Sequence, residues 1–116
     1  MPESQIELNE RILRSWDIYK KHLPDVAHAY DELPMEVYKD GALTGKIKRM
    51  MAMVGALVHG CQACILFQTE WALKLGATAE EILEACAVAI SLGGTMGAGE
   101  TTRVVQFLEE KGLLDS

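Results

Sequence analysis

Cys61 and Cys64, separated by Gln62 and Ala63, form a pair suited to thiol chemistry. On a helix, positions i and i+3 share a face, and their Cα separation is one a disulfide can bridge. The pair follows Gly60, which ends one apolar helical stretch, so it falls at the start of the next. A first helical turn exposes unpaired backbone N–H groups, whose partial positive charge stabilises a thiolate. A dithiol placed there meets both needs of redox chemistry, one thiol activated for attack and a second within reach to resolve the product. The same spacing is also half of a zinc site, and free cysteines also pack as small inert hydrophobes. His22, His28 and His59 lack ligand spacing with one another or with the pair, so neither a metal nor a cofactor is expected. His59, at the end of the preceding helix, is expected to cap its last carbonyls, with a role as a base beside Cys61 as the alternative.

The sequence around this pair reads as helices throughout. Ser4-Gln5-Ile6-Glu7 has the pattern of a capping box, and Ile6, Ile12, Leu13, Trp16 and Tyr19 recur at helical spacing to about Lys21. Pro24 opens a second helix, and Pro34 is expected to break it before a short helix at 35–39. Ile47, Met50, Met51, Val54, Leu57 and Val58 form an apolar stripe on a helix from Gly45 or Lys46 to His59. Residues 61–75 follow, closed by Gly76, and Thr78-Ala79-Glu80-Glu81 caps a helix that is expected to stop at Gly93-Gly94. A last helix covers about 98–111. Cys86 shares an apolar face with Ile82, Ala89 and Ile90 and reads as an inert core thiol. The glycine-rich stretch 93–99 follows no strand and lacks a Gly-Lys-Ser/Thr ending, so it reads as a tight interhelical loop, not a phosphate loop. No segment alternates like a strand and no hairpin turn occurs, so the fold class is all-α in one domain, residues 1–116.

Composition narrows the partners. With 17 acidic and 11 basic residues the chain carries a net charge of −6, and its basic cluster Lys46-Ile47-Lys48-Arg49 is short. Nucleic acid and anionic membrane surfaces are therefore not expected as partners. No apolar run reaches the ~18 residues of a membrane span. The start, Met1-Pro2-Glu3-Ser4-Gln5, lacks the basic and apolar pattern of a signal peptide. Three cysteines, an odd number, do not make a secreted disulfide scaffold. A cytoplasmic location follows as the expectation. A mean hydropathy of +0.07 is high for so small and acidic a chain, which points to apolar surface held in a subunit interface.

Arg49-Met50-Met51, then Val58-His59-Gly60 and the cysteine pair, then Trp71-Ala72-Leu73-Lys74-Leu75-Gly76-Ala77-Thr78-Ala79-Glu80-Glu81-Ile82, together resemble the carboxymuconolactone decarboxylase and alkylhydroperoxidase D-like (AhpD-like) superfamily. Leu92-Gly93-Gly94 fits the same pattern, and the resemblance covers residues 46–110. It implies an all-α domain of about six helices, assembled as a homo-oligomer, a trimer or hexamer of interlocked subunits. It implies a peroxiredoxin-like oxidoreductase, a thiol-dependent peroxidase or disulfide reductase that acts on a hydroperoxide or disulfide and is recycled by a thiol reductant. In that scheme Cys64 attacks and Cys61 resolves.

Two positions depart from the family's peroxidase pattern. Where the pattern has Glu, twelve residues before the first cysteine, this chain has Arg49; where it has His, four residues after the second, it has Gln68. Neither can relay a proton, because Arg stays charged and an amide does not titrate. Gln68 at i+4 can reach Cys64 by hydrogen bond. Arg49 is expected either to hold the Cys64 thiolate electrostatically or to point to solvent or a subunit salt bridge. Two other functions fit the same residues: a non-catalytic helical oligomer with a degenerate site, and a lyase like the lactone decarboxylases, whose anionic lactone Arg49 would suit.

Overall fold

The computed structural model describes residues 3–115 and is all-helical. Met1 and Pro2, the first two residues of the polar N-terminal stretch, lie outside the described residues, as does Ser116. The helices are α1 (Gln5–His22), α2 (Pro24–Val37), α3 (Gly45–His59), α4 (Gln62–Lys74) and α5 (Ala79–Glu110). The centre of the molecule is α3 packed between α4 and α5, with Met53, Leu57, Ile65, Ala72, Ile82, Cys86, Ala89, Val104 and Leu108 buried together. A smaller cluster of Leu8, Leu66 and Phe107 fastens α1 to α4 and α5. The α2 helix packs mainly against α1, buries a single residue, Ala27, and is tied to α3 where the Lys48 Nζ donates to the Val37 carbonyl at 3.0 Å.

Both ends of α5 show how local sequence sets geometry. At its start the Thr78 side chain accepts from the Glu81 amide at 3.1 Å, and Glu81 accepts from the Thr78 amide at 2.9 Å, completing the capping box. Near its middle the expected stop at Gly93-Gly94 is a corner instead of a loop. Gly94 alone leaves helical geometry, at φ 59° and ψ −134°, and the helix resumes at once. The corner is sharp. A Cβ on Gly97 would lie 2.6 Å from the Ala89 carbonyl oxygen, whereas residues eight apart in a straight helix are separated by about 12 Å. The two limbs of α5 therefore supply the fifth and sixth helical segments. Gly97→Ala forces its methyl into backbone that cannot move aside, and should cost about 1–3 kcal/mol in urea unfolding. The length and apolar composition of α5 alone would suit a membrane span. Its inner side, from Ile82 through Leu108, is the wall of the core.

Three other local expectations change. Pro34 does not end α2, which runs on to Val37. The carbonyl that Pro34 leaves without a partner belongs to Tyr30, an exposed residue on a surface helix, where water can satisfy it. The α3 stripe is rotated: the buried face is Gly45, Arg49, Met53, Ala56 and Leu57, while Ile47 and Met51 are exposed. Ile90 likewise lies outside the buried face of Cys86 and Ala89.

The α1 cap is half as expected. Ser4 accepts from the Glu7 amide, but the carboxylate that closes the cap comes from Glu110 at the far end of the chain. Glu110 accepts from the Ser4 hydroxyl at 2.8 Å, the Gln5 and Ile6 backbone amides at 3.0 and 2.9 Å, and the Gln106 side-chain Nε2 at 2.9 Å. Desolvation works against the charged carboxylate, but these donors outweigh it and hold its pKa at about 2, against an ordinary 4.5. The depressed value means the clamp is fully present above about pH 4.5 and is lost as pH falls towards 2. Glu110→Gln should be less stable than wild type at neutral pH, with the difference shrinking across that window, as urea titrations at stepped pH would show.

Candidate active site

The turn between α3 and α4 builds the cysteine pair. Gly60 adopts the left-handed conformation, φ 78°, and its amide and that of Cys61 both bond the Ala56 carbonyl, at 2.8 and 3.1 Å. The turn therefore caps α3 with main-chain groups. The expected capping role of His59 is thus filled by the backbone, and the His59 side chain is exposed. The same turn delivers Cys61 as the N-cap of α4, where its sulfur accepts from the Cys64 amide at 3.2 Å. Cys61 and Cys64 are closed as a disulfide with Cα atoms 5.3 Å apart. Cys64 is exposed and Cys61 half-buried. Both sulfurs thus sit at the positive end of a helix, the setting that favours a thiolate once the pair is reduced.

The α4 helix divides its faces by simple periodicity. Ile65, Thr69 and Ala72 face the core, and Thr69 returns its hydroxyl to the Ile65 carbonyl. Cys64, Gln68 and Trp71 repeat the same i, i+4, i+7 spacing on the neighbouring face. Against that face lies Arg49, only 7% exposed. Its Nη1 donates to the Gln68 Oε1 at 2.9 Å, and the Gln68 Nε2 donates to the Tyr38 hydroxyl at 3.4 Å. The guanidinium carbon sits 3.7 Å from the Tyr38 ring centroid, 4.8 Å from Trp71 and 5.9 Å from Phe67.

Both departing positions are therefore one unit. Arg49 does not point to solvent, and among the described residues it joins no ion pair within the chain; it lies among aromatic rings, which offset part of its charge. Gln68 has both ends of its amide engaged, with Arg49 and Tyr38 as its partners. Burial pushes the Arg49 pKa below its ordinary value, and Tyr38 works the other way. A guanidinium nonetheless remains charged at working pH.

Sequence reasoning missed Tyr38 and Trp71 as partners of Arg49. Trp71 carried a signal, since it lies one turn beyond Gln68, but Tyr38 comes from the α2–α3 connection, where spacing says nothing. The third cysteine, Cys86, is buried in the core, and desolvation raises its pKa despite a hydrogen bond with Thr101. Among the described residues no cluster of three or more His, Cys, Asp or Glu is placed to hold a metal.

An all-helical domain carrying a cysteine pair at a helix start defines a recognisable class. The sequence profile of the carboxymuconolactone decarboxylase family matches residues 24–107, and the chain belongs to that family. An uncharacterised protein of Cupriavidus necator is 30% identical over 74% of this chain and 76% of its own length. An uncharacterised protein from the cox locus of Paracoccus denitrificans is 32% identical over 71% and 74%. Among solved structures, a carboxymuconolactone decarboxylase family protein from Legionella pneumophila superposes with a TM-score of 0.87 at 28% identity, covering 94% of this chain and 97% of that one. A family member from Thermotoga maritima, for which a role in antioxidative response has been suggested, gives 0.68 at 34% identity over 73% of this chain and 88% of its own.

Proposed function

We propose that the protein is a thiol-dependent oxidoreductase that reduces a hydroperoxide or a disulfide with the Cys61–Cys64 pair. The observation that carries this reading is the placement of an exposed Cys64 and a half-buried Cys61 on the first turn of α4. The suggested antioxidative role of the Thermotoga maritima relative supports it. Cys64 as thiolate attacks the terminal oxygen of a hydroperoxide, forming a sulfenic acid and releasing an alkoxide that takes a proton from water. The Cys61 thiol then attacks the Cys64 sulfur, forming the disulfide and releasing water. With a disulfide as oxidant, the same thiolate displaces one thiolate and Cys61 displaces the second. A thiol reductant, such as that of a reducing cytoplasm, returns the pair to the dithiol.

The missing relay has a consequence within this scheme. Activation of Cys64 rests on the N-terminus of α4, with no general base within the Arg49–Gln68 unit. The test is catalytic consumption of cumene hydroperoxide or glutathione disulfide, with dithiothreitol as the recycling reductant. Turnover that depends on both cysteines supports the reading; reaction no faster than that of free cysteine refutes it.

The working form in this proposal is a homo-oligomer. Val26, Tyr30, Leu33 and Val37 follow i, i+4, i+7, i+11 along α2 and are all exposed, Leu33 at 66%. A second apolar groove of about 360 Å³ lies between Ile47, Met50, Met51 and Val54 of α3 and Ala85 and Val88 of α5. Leu33→Asp is expected to shift the protein to a smaller species in light scattering while keeping its helical circular dichroism. An unchanged mass would remove α2 from the interface.

A further inference from the structure

The Arg49 guanidinium is more deeply buried than its hydrogen bonding explains. A guanidinium has five N–H donors, and the protein accepts one of them, through Gln68. Its Nε is fully buried with no acceptor. Among the described residues no carboxylate is paired with Arg49, although seven Lys or Arg ion pairs form elsewhere in the chain. Buried charges are ordinarily paired, because desolvation without a counter-charge is costly. The Tyr38 and Trp71 rings, 3.7 and 4.8 Å from the guanidinium carbon, offset part of its charge but supply no counter-ion, the role a carboxylate fills for a guanidinium. Through Gln68 the guanidinium is tied to the α4 face that carries Cys64, about one helical turn away.

We infer that Arg49 is a substrate subsite: it anchors a carboxylate on the oxidised molecule that Cys64 attacks. This rests on the dithiol reading above and names the substrate class for the same site, a small organic oxidant with an acidic group within a few bonds of its reacting atom. Tyr38 and Trp71 form the walls of the subsite, and Gln68 fixes the orientation of the fork. The net charge of −6 makes the local cation the more selective, since the rest of the surface repels an acidic substrate.

Two chromogenic disulfides separate the possibilities. The bis-carboxylate 5,5′-dithiobis(2-nitrobenzoate) and the neutral 4,4′-dithiodipyridine are both opened by thiolate attack. Each forms a mixed disulfide and releases one thiolate, and Cys61 then releases the second. Arg49→Gln is expected to slow the reduced protein's reaction with the carboxylate probe by about tenfold or more, and that with the neutral probe by no more than about twofold. Arg49→Lys should restore part of the loss, since the charge returns without the fork. Equal slowing with both probes would mean that Arg49 acts on the Cys64 thiolate itself and would overturn the subsite, as would no slowing.

If neither probe closes the Cys61–Cys64 disulfide in wild type, the dithiol reading fails instead. Because Arg49 is buried and its variants can lose stability, wild type gives an independent readout. Millimolar benzoate should raise its thermal midpoint and benzamide should not; equal effects of the two would overturn the subsite.

Discussion

Cys64→Ser is expected to abolish turnover, leaving oxidant consumption at the rate of the uncatalysed reaction. A serine hydroxyl in the same place is not ionised near neutral pH, and the helix N-terminus cannot make it so. Cys61→Ser should behave differently. The first attack survives, because Cys64 keeps its place in the first turn, but the product is trapped as a sulfenic acid or a mixed disulfide. Intact-mass measurement distinguishes the two variants. A single adduct on the Cys61 variant and none on the Cys64 variant is the expected result; the reverse pattern would exchange the roles of the two thiols. The asymmetry follows from exposure, since Cys64 faces solvent and Cys61 is half-buried as the N-cap.

The largest expected loss of stability is at Phe107. Its side chain is fully buried, and with Leu8 and Leu66 it forms the small cluster that holds α1 to α4 and the second limb of α5. Phe107→Ala removes that contact and leaves a cavity that long helices cannot collapse to fill, at a cost of about 3–5 kcal/mol. The same change weakens the seat of α1, and with it α2, which packs mainly on α1. Urea unfolding followed by Trp fluorescence measures the loss. A cost below about 1 kcal/mol would mean that the Glu110 clamp, and not this cluster, holds α1 in place.

Local signals in the chain read true where the physics is local. The Thr78–Glu81 box, the glycine that ends α3 and the cysteines that open α4 depend on neighbours three or four residues away, and each forms as the spacing predicts. Pro34 and Gly93-Gly94 are strong breaking signals, yet the chain passes through the first and only turns a corner at the second. At Pro34 the freed carbonyl lies on an exposed surface helix, and at Gly94 a single residue turns the chain before the helix resumes, contexts that spacing does not carry. The α1 cap was half legible because its second partner, Glu110, lies 104 residues from Ile6.

The candidate site divides in the same way. The dithiol and its helix start were legible, and the family resemblance added the significance of positions 49 and 68. That those two side chains bond each other was not legible, nor was the burial of a charged residue on the core face of α3. An arginine in an apolar stripe reads as the solvent face unless its aromatic partners are known, and Tyr38 reaches it only through tertiary folding. Met51 shows the converse: an apolar residue assigned to the stripe lies exposed beside an intersubunit groove candidate.

Peptide mapping of the reduced, metal-free protein, before and after one equivalent of cumene hydroperoxide or glutathione disulfide, decides whether the pair is redox-active, with Cys64→Ser as control. Rapid formation of the intramolecular Cys61–Cys64 disulfide is expected in wild type and none in the variant. Thiols that stay reduced with both oxidants would contradict the dithiol reading, and would leave a helical family member whose cysteine pair does no redox chemistry.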